Sequence, residues 1–186
     1  MRIISGSLKG RSIKYLKNNI TRPLKDSVKE NIFNILKHSS LLNTKIENAY
    51  VFDFYSGIGS FGIECISRGA NKVFFIEQDI NAINLLKENL MNLSILDKSK
   101  IYSNKIENLK LKEIKEKFNI FFFDPPFRDY DFITNLKLVK NNKIFKKDHI
   151  VIIHREIKSQ DDFESLLKIS EIKQYGRSKI IFGVFN

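Results

Sequence analysis

The chain has 186 residues, enough for one domain with a full hydrophobic core. Its composition, 42% hydrophobic and 28% charged, is typical of a soluble globular protein, and no uncharged apolar run reaches the ~18 residues of a membrane span. The single cysteine, Cys65, excludes an internal disulfide, and the amino terminus lacks the apolar segment of a signal peptide, so a cytoplasmic location is expected.

Positive charge is concentrated at the start of the chain. The net charge is +11, and residues 1–45 contain ten Lys or Arg residues against Asp26 and Glu30, a net of +8. A basic segment beside a nearly neutral remainder is an electrostatic footprint for phosphates. An ordinary solvated surface is the alternative interpretation of each side chain. The candidate phosphate contacts are Arg2, Lys9, Arg11, Arg22 and Lys25.

Residues 1–45 are predicted to form a small N-terminal extension. The first fifteen residues resemble a hairpin, because two short apolar pieces flank a turn that contains Gly6 and Gly10. A helix is predicted next, with Asp26 as its N-cap. The apolar face of this helix consists of Val28, Ile32, Ile35 and Leu36.

Residues 46–186 are predicted to form a second unit in which strands alternate with helices. The predicted strands are AYVFDFY, KVFFIE, KIYS, NIFFF and HIVIIH. The predicted helices are residues 60–68, DINAINLLKENLMNL with Asp79 at its start, ENLKLKEIKEKF, and a short helix in DDFESLLKIS. The tail EIKQYGRSKIIFGVF predicts an antiparallel hairpin around Gly176. This alternation indicates a doubly wound α/β fold, which binds ligands at the carboxyl ends of its parallel strands.

The first candidate site follows the first of these strands. Gly57, Gly59 and Gly62 have the spacing G-x-G-x-x-G, which lets a ligand approach the backbone but is weak evidence alone. In nicotinamide enzymes a pyrophosphate binds at this point. Here Asp53 precedes Gly57 by four residues and would repel a pyrophosphate, but it suits the ammonium group of S-adenosylmethionine (SAM), which has no phosphate. A helix cap or a surface salt bridge is the alternative role for Asp53.

Two further polar residues end the next strands. Glu77, at the end of the second strand, is placed to accept hydrogen bonds from both ribose hydroxyls of a nucleoside. This role is common to NAD and SAM enzymes, so it locates the nucleoside without identifying it. Asn104, after the third strand, is expected to meet the adenine edge.

The sequence DPPF, at the tip of the fourth strand, forms the second candidate site. Residues before proline avoid the α region and prolines lack an N–H, so Asp124, Pro125 and Pro126 form a rigid group of acceptors. Phe127 adds a flat apolar face. An exocyclic amino group of a nucleobase donates two hydrogens to such acceptors while the base stacks on the ring. The Asp124 carboxylate also opposes the positive charge that develops when the amino nitrogen accepts a methyl group. A Pro-Pro turn with a core Phe is the alternative interpretation.

These segments resemble the SAM-dependent amino-methyltransferases that carry a (D/N)PP(Y/F) motif. The closer similarity is to RsmD-type enzymes, bacterial 16S rRNA (guanine-N2) methyltransferases that act on guanine 966, and it rests on RIISGSLKGR, TRPLKDSVKENIFNIL, FDFYSGIGSFGIECISRGA, FFIEQD, FFFDPPF and YGRSKIIFGVF. The N-terminal segments distinguish RsmD-type enzymes from other amino-methyltransferases, since the glycine loop and DPPF occur in many families. The chain departs from the family pattern at Leu24, Ser56 and Ile58, and the segment His154–Glu156 is less acidic than the pattern.

The resemblance implies a seven-stranded, mostly parallel, Rossmann-like fold with a small N-terminal extension. SAM would contact the loop from Asp53 to Gly59, including Tyr55, together with Glu77 and Asn104, and residues 124–127 would hold guanine N2. The implied substrate is 16S rRNA in the small ribosomal subunit or an assembly intermediate of it. We expect a monomer that needs no metal.

Other functions stay open at this point. DPPF also serves adenine-N6 methylation of DNA or RNA, and a non-catalytic RNA-binding or assembly factor is a further alternative, against which the intact DPPF argues. Asp53 and the missing acid–base pair disfavour a nicotinamide dehydrogenase. His38, His149 and His154 lack the spacing of metal ligands, and Cys65 is interpreted as a core thiol.

Overall fold

The computed structural model describes residues 1–15, 24–39, 42–129 and 131–186. Seven strands form one sheet: β1 (Tyr50–Phe54), β2 (Lys72–Glu77), β3 (Ser99–Ser103), β4 (Phe118–Phe123), β5 (Phe145–Glu156), β6 (Leu167–Tyr175) and β7 (Ser178–Phe185). The α-helices are α1 (Asp26–His38), α2 (Ser60–Ser67), α3 (Ile80–Asn92) and α4 (Phe132–Asn142).

The strand order is β3-β2-β1-β4-β5-β7-β6. The first five strands in this order are parallel, and β7 is antiparallel to both of its neighbours. The chain reverses its direction of strand addition between β1 and β4, which is the switch point of a doubly wound sheet. The predicted mostly parallel α/β sheet with a C-terminal antiparallel hairpin is therefore confirmed.

The aromatic run before DPPF fills the core on both faces of the sheet. Phe121 and Phe123 pack on one face and Phe122 on the other, where its ring stacks on Phe61 of α2 at 3.9 Å. Strands covered on both faces bury every side chain, which explains the continuous apolar sequence. The run thus anchors the residues that follow it to the rigid centre of the sheet.

The N-terminal extension packs against the same core as α2. Arg2 and Ser12 form an antiparallel bridge, as expected for the predicted hairpin, and Ile3 and Ile13 are buried beside the sheet. The carboxylate of Glu64 on α2 accepts hydrogen bonds from two backbone N–H groups of the extension, at 2.9 Å each. The hairpin is therefore fixed to the helix that follows the glycine loop.

A buried ion cluster adds α1 to this junction. The Glu64 carboxylate also accepts a hydrogen bond from Arg68 Nε at 2.9 Å and lies 3.9 Å from Lys29 Nζ. Glu64 and Lys29 are both fully buried, and Lys29 Nζ donates to Ser60 Oγ at 3.2 Å. Buried charges are tolerated only when they are paired in this way.

Some predicted helices are wrong in their bounds or existence. Lys25, not Asp26, is the N-cap of α1, and Asp26 in the first turn pairs instead with Lys29 at 3.4 Å. The predicted helix ENLKLKEIKEKF contains only short 3-10 turns, and its last residue, Phe118, already belongs to β4. The predicted helix in DDFESLLKIS is a turn that enters β6, since pairing with β7 takes up the chain from Leu167.

Helix α4 was not predicted, although its sequence has the pattern. Phe132, Leu136 and Val139 are buried at a spacing of four and three residues, which is one face of a helix. Asp129 Oδ1 accepts hydrogen bonds from the N–H groups of Asp131 and Phe132 at the start of this helix.

Among the helices of the described residues, none has the length and apolar character that a membrane span requires.

Candidate active site

The loop after β1 brings glycine backbone to the carboxyl edge of the sheet. A Cβ on Gly59 would lie 2.4 Å from Leu86 Cδ1, and one on Gly62 would lie 2.3 Å from Phe75 Cε1. These two glycines allow the close packing of the loop and α2 on the sheet. Gly57 has a φ of 53°, and a Cβ there would meet no atom within 4 Å. Gly57 is therefore the glycine whose backbone a ligand can approach.

Asp53 lies beneath this loop. It is 1% exposed, and its Oδ2 accepts a hydrogen bond from the Gly62 N–H at 3.0 Å, so it holds the amino end of α2. Burial raises the pKa of the Asp53 carboxyl well above 3.8; the Gly62 hydrogen bond opposes this, and the nearby charges of Asp124 and Glu77 add to it. Three carboxylates therefore share this edge, and a cation bound among them would relieve their repulsion.

Glu77 organises the glycine loop from the neighbouring strand. Its Oε2 accepts a hydrogen bond from the Gly57 N–H at 2.7 Å. Its Oε1 accepts from the N–H groups of Gln78 and Asp79 at 2.8 and 2.9 Å. Because each carboxylate oxygen has two lone pairs, Oε2 can accept one further hydrogen bond from a ligand hydroxyl.

The side chains of Tyr55 and Asn104 both form hydrogen bonds with other residues of the chain. The Tyr55 hydroxyl accepts a hydrogen bond from Asn135 Nδ2 of α4 at 2.8 Å and lies beside Asp129, and burial raises the pKa of this phenol. Tyr55 thus ties the glycine loop to the loop that follows DPPF. Asn104 is exposed, and its Oδ1 accepts a hydrogen bond from the Lys105 N–H at 2.9 Å. Cofactor contacts by these two side chains remain predictions.

The residues of this edge fit SAM better than a dinucleotide. Asp53, Glu77 and Asp124 make the edge acidic, which favours an ammonium group and hydroxyls and disfavours a pyrophosphate. The open space above Gly57 admits a ligand to the loop backbone. Asp53 is not the N-cap of α2, which is Gly59, but its carboxylate accepts a hydrogen bond from Gly62 in the first turn of that helix.

Asp124 emerges from β4 beside a histidine of β5. Phe123 pairs with Ile153 in the parallel register, so Asp124 and His154 follow side by side. Asp124 Oδ1 lies 2.7 Å from His154 Nδ1, and the two side chains are 22% and 12% exposed. The Phe127 ring meets the same imidazole edge to face, with centroids 5.6 Å apart. The acceptor and the stacking face predicted for DPPF thus contact one histidine.

A buried arginine clamps the second proline. Arg155 donates from Nε and Nη2 to the Asp161 carboxylate at 3.0 and 3.2 Å, and from Nη1 to the Pro126 carbonyl at 3.2 Å. The Asp129 N–H donates to the same carbonyl at 2.8 Å. The Pro126 carbonyl therefore already accepts two hydrogen bonds, whereas no described residue donates to the carbonyl of Pro125.

Sequence reasoning missed the residues that support DPPF. A signal was available, because residues 154–156 stand at the carboxyl end of the strand predicted after the DPPF strand, and adjacent parallel strands end at one edge. No sequence pattern indicated which later residue would form a hydrogen bond with residues 154–156. The missed residues are His154, Arg155, Asp161, Asp129 and Asn135.

The predicted phosphate contacts lie on the surface of the N-terminal extension. Arg2, Lys9, Arg11 and Lys25 are exposed, and Arg22 lies outside the described residues. Arg11 Nη2 donates to the backbone carbonyl of Asn92 at 2.6 Å. Contact of these side chains with phosphates remains a prediction. Across the described ranges, no three His, Cys, Asp or Glu side chains form a group that could hold a metal ion.

Comparison with known proteins identifies the family. A sequence model of the family described as Conserved hypothetical protein 95 matches residues 1–184. The chain belongs to this family. It is 32% identical over 158 residues to the Ribosomal RNA small subunit methyltransferase D of Haemophilus influenzae, covering 84% of this chain and 79% of that one. It is 29% identical over 159 residues to the protein of the same name from Escherichia coli, covering 86% and 76%. The resemblance to RsmD-type enzymes is therefore confirmed.

Several solved structures have the same fold as this chain. The Escherichia coli protein yhhF superposes with a TM-score of 0.82 at 24% identity, over 98% of this chain and 96% of that one. A ribosomal protein L11 methylase from Lactobacillus delbrueckii superposes with a TM-score of 0.67 at 12% identity, over 87% and 79%. The predicted Rossmann-like methyltransferase fold is confirmed.

Proposed function

We propose that this chain transfers a methyl group from SAM to the exocyclic N2 amino group of a guanine in 16S rRNA. The observation that supports this most directly is that the acidic glycine loop and the DPPF tip meet at one edge of the sheet, because β1 lies between β2 and β4 and pairs with both in parallel. The names of the Haemophilus influenzae and Escherichia coli relatives supply the substrate class. The substrate is the small ribosomal subunit or an assembly intermediate of it.

The cofactor is held by the first two strands and their loops. Gly57 admits the ligand to the loop backbone, Glu77 accepts a hydrogen bond from a ribose hydroxyl, and the Asp53 carboxylate attracts the ammonium group. Asn104 lies at the carboxyl end of β3 for the adenine edge, and Tyr55 lines the loop.

The DPPF residues hold the target base. When bound, SAM supplies an electrophilic methyl group on a positively charged sulfur. Asp124 Oδ2 and the Pro125 carbonyl accept one hydrogen bond each from the two N–H groups of the amino group. These hydrogen bonds direct the nitrogen lone pair out of the plane of the base. As the N–C bond would form, the bond from the methyl carbon to the SAM sulfur would break and S-adenosylhomocysteine would leave. The Asp124 carboxylate stabilises the positive charge that nitrogen gains, and a proton then leaves to Asp124 or water. Phe127 provides the stacking face, worth about 1–3 kcal/mol.

The N-terminal extension is proposed to face the RNA. Residues 1–45 carry a net charge of +8, and the described candidate phosphate contacts are exposed. Residues 46–186 are the proposed methyltransferase domain. Glu64 joins the two parts through its hydrogen bonds to the extension, so RNA bound there is held at a fixed distance from the glycine loop. We propose a monomer in the cytoplasm.

The test uses small ribosomal subunits that lack the modification, labelled SAM and mass spectrometry of the released nucleosides. The expected product is labelled N2-methylguanosine. Asp124→Ala should abolish transfer while calorimetry shows SAM binding largely retained, because Asp124 is assigned to the base. Asp97→Ala, at an exposed position before β3, is the matched control and should leave transfer unchanged.

Three outcomes contradict parts of this proposal. Labelled N6-methyladenosine would replace guanine by adenine as the target. Binding to the subunit without SAM uptake would favour a non-catalytic assembly factor. Undiminished transfer by Asp124→Ala would show that Asp124 does not hold the reacting amino group.

A further inference from the structure

We propose that His154 is a positioning residue that fixes the Asp124 carboxylate and the Phe127 ring for the incoming base. The proposal rests on the function proposed above and adds a residue outside the DPPF motif. Its basis is that one imidazole contacts both parts of the predicted base-binding tip.

His154 is held more rigidly than the loop it supports. It lies within β5, where it pairs with Ile180 of β7, and it follows Ile153, which pairs with Phe123 of β4. Asp124 and Phe127 lie beyond the end of β4, where no ladder holds them. A side chain on a central strand can therefore set the position of side chains on the adjoining loop.

The hydrogen bond has a defined direction. An ionised carboxylate only accepts hydrogen bonds, so His154 Nδ1 must donate to Asp124 Oδ1 across their 2.7 Å contact. This bond restricts the rotation of the Asp124 side chain. No described residue donates to Asp124 Oδ2, so that oxygen remains for the amino group of the base.

The second ring nitrogen shows what the imidazole provides. His154 Nε2 is buried without a hydrogen-bond partner among the described residues. A buried unpaired polar atom destabilises the fold, and a phenylalanine ring would fill the same space without it. What the imidazole supplies at this position, and a phenylalanine ring does not, is the donor to Asp124.

Three substitutions separate the donor from the ring. His154→Asn keeps an N–H donor near the place of Nδ1, His154→Gln moves the amide one bond further out, and His154→Phe keeps the ring without a donor. On small subunits with labelled SAM, we expect Gln and Phe to lower kcat by about 100-fold, since misplacing a reacting group by ~1 Å has an effect of this size. We expect Asn to recover at least ~10-fold of that loss, and SAM affinity to stay unchanged in all three.

A substrate-free measurement separates this proposal from the proposed function. The chain has only three histidines, so nitrogen-15 NMR of the side chains can assign His154 by comparison with His154→Asn and His38→Asn. We expect a proton on Nδ1 in the wild-type protein and a shift of that signal in Asp124→Ala. This result is independent of whether the small subunit is methylated.

The outcomes are distinct. A neutral His154 with its proton on Nε2 alone would overturn the proposal, as would a His154→Phe or His154→Gln variant with wild-type kcat. A folded His154→Asn variant no better than His154→Phe would also overturn it. If the wild-type protein methylates nothing while Nδ1 carries the proton bonded to Asp124, the proposed function fails and the geometry stands.

Discussion

Glu77 at the end of β2 and Gly57 in the loop after β1 are joined by a 2.7 Å hydrogen bond from the Gly57 N–H to Oε2. The same carboxylate accepts two more backbone hydrogen bonds at the start of the next connection. One side chain therefore shapes the glycine loop and presents an acceptor to a ligand. One substitution at Glu77 tests both roles.

Glu77→Gln should weaken SAM binding and also remove backbone hydrogen bonds at the connection before α3. The amide oxygen can accept from the Gly57 N–H, but the amide nitrogen then faces the N–H groups of Gln78 and Asp79, and the negative charge is lost. Hydrogen bonds to charged groups contribute about 1.5–3 kcal/mol, so the Kd should rise by roughly ten- to a hundredfold in calorimetry. Glu113→Gln, on an exposed 3-10 turn, is the control and should bind SAM as the wild type does. Equal affinity of the two variants would refute the assignment of Glu77.

Alanine at the glycines should separate packing from ligand approach. Gly62→Ala would place a methyl group 2.3 Å from the Phe75 ring, and overpacking of this kind lowers the free energy of unfolding by about 1–3 kcal/mol. Gly57→Ala meets no atom and should lose only about 1 kcal/mol, from its left-handed φ, but should weaken SAM binding. Urea unfolding and calorimetry measure the two effects. The prediction fails if Gly57→Ala binds SAM normally.

Asp53→Asn should make the protein more stable at neutral pH and less able to bind SAM. The folded-state pKa of Asp53 is raised mainly by burial, so the folded state binds this proton more tightly than the unfolded chain. The stability from that protonated form is fully present below pH 3.8 and is lost as pH rises through the folded-state pKa. Asparagine removes this loss and can still accept from the Gly62 N–H. The stability gain over wild type, from urea unfolding, should therefore grow from pH 4 upward. A gain that is constant with pH would contradict it.

Glu64→Gln should destabilise the junction between the extension and α2. It removes the buried carboxylate that pairs with Lys29 and Arg68 and leaves Lys29 only the exposed Asp26, so the free energy of unfolding should fall by up to about 3 kcal/mol, the lower end for a broken buried ion pair. Adding Lys29→Met should recover part of the loss. The control is Glu88→Gln, which breaks an exposed pair with Lys14 and should change stability by less than about 1 kcal/mol. If Glu64→Gln and Glu88→Gln lowered the free energy of unfolding by similar amounts, Glu64 would not be the main stabilising contact of this junction.

Charge removal on the extension tests its proposed contact with RNA. Arg2→Gln combined with Lys9→Gln should weaken binding to the small subunit and lower the slope of log K against log salt by about 2. Lys115→Gln with Lys117→Gln removes the same charge immediately before β4, at the amino ends of the strands. This control should leave the slope nearly unchanged. An equal effect of both pairs would mean that only net charge matters.

The central strands of the sheet and the acidic residues at its edge could be predicted from local sequence patterns. Continuous apolar runs located the central strands, because parallel strands are covered on both faces. Asp53, Glu77 and Asp124 stood at strand ends, and the topology of such sheets brings strand ends together. Local patterns were misleading where short-range and long-range terms compete, as at Leu167, which pairs with β7 instead of continuing a helix.

The residues that support the DPPF tip could be identified only from the folded chain. His154 and Arg155 are 30 and 29 residues from their partners Asp124 and Pro126, and Tyr55 is 80 residues from Asn135. No local periodicity encodes such pairs, because they depend on the order and register of neighbouring strands. The Asp53 carboxylate is buried and accepts a hydrogen bond from the Gly62 N–H, and its place in the motif did not indicate this contact either.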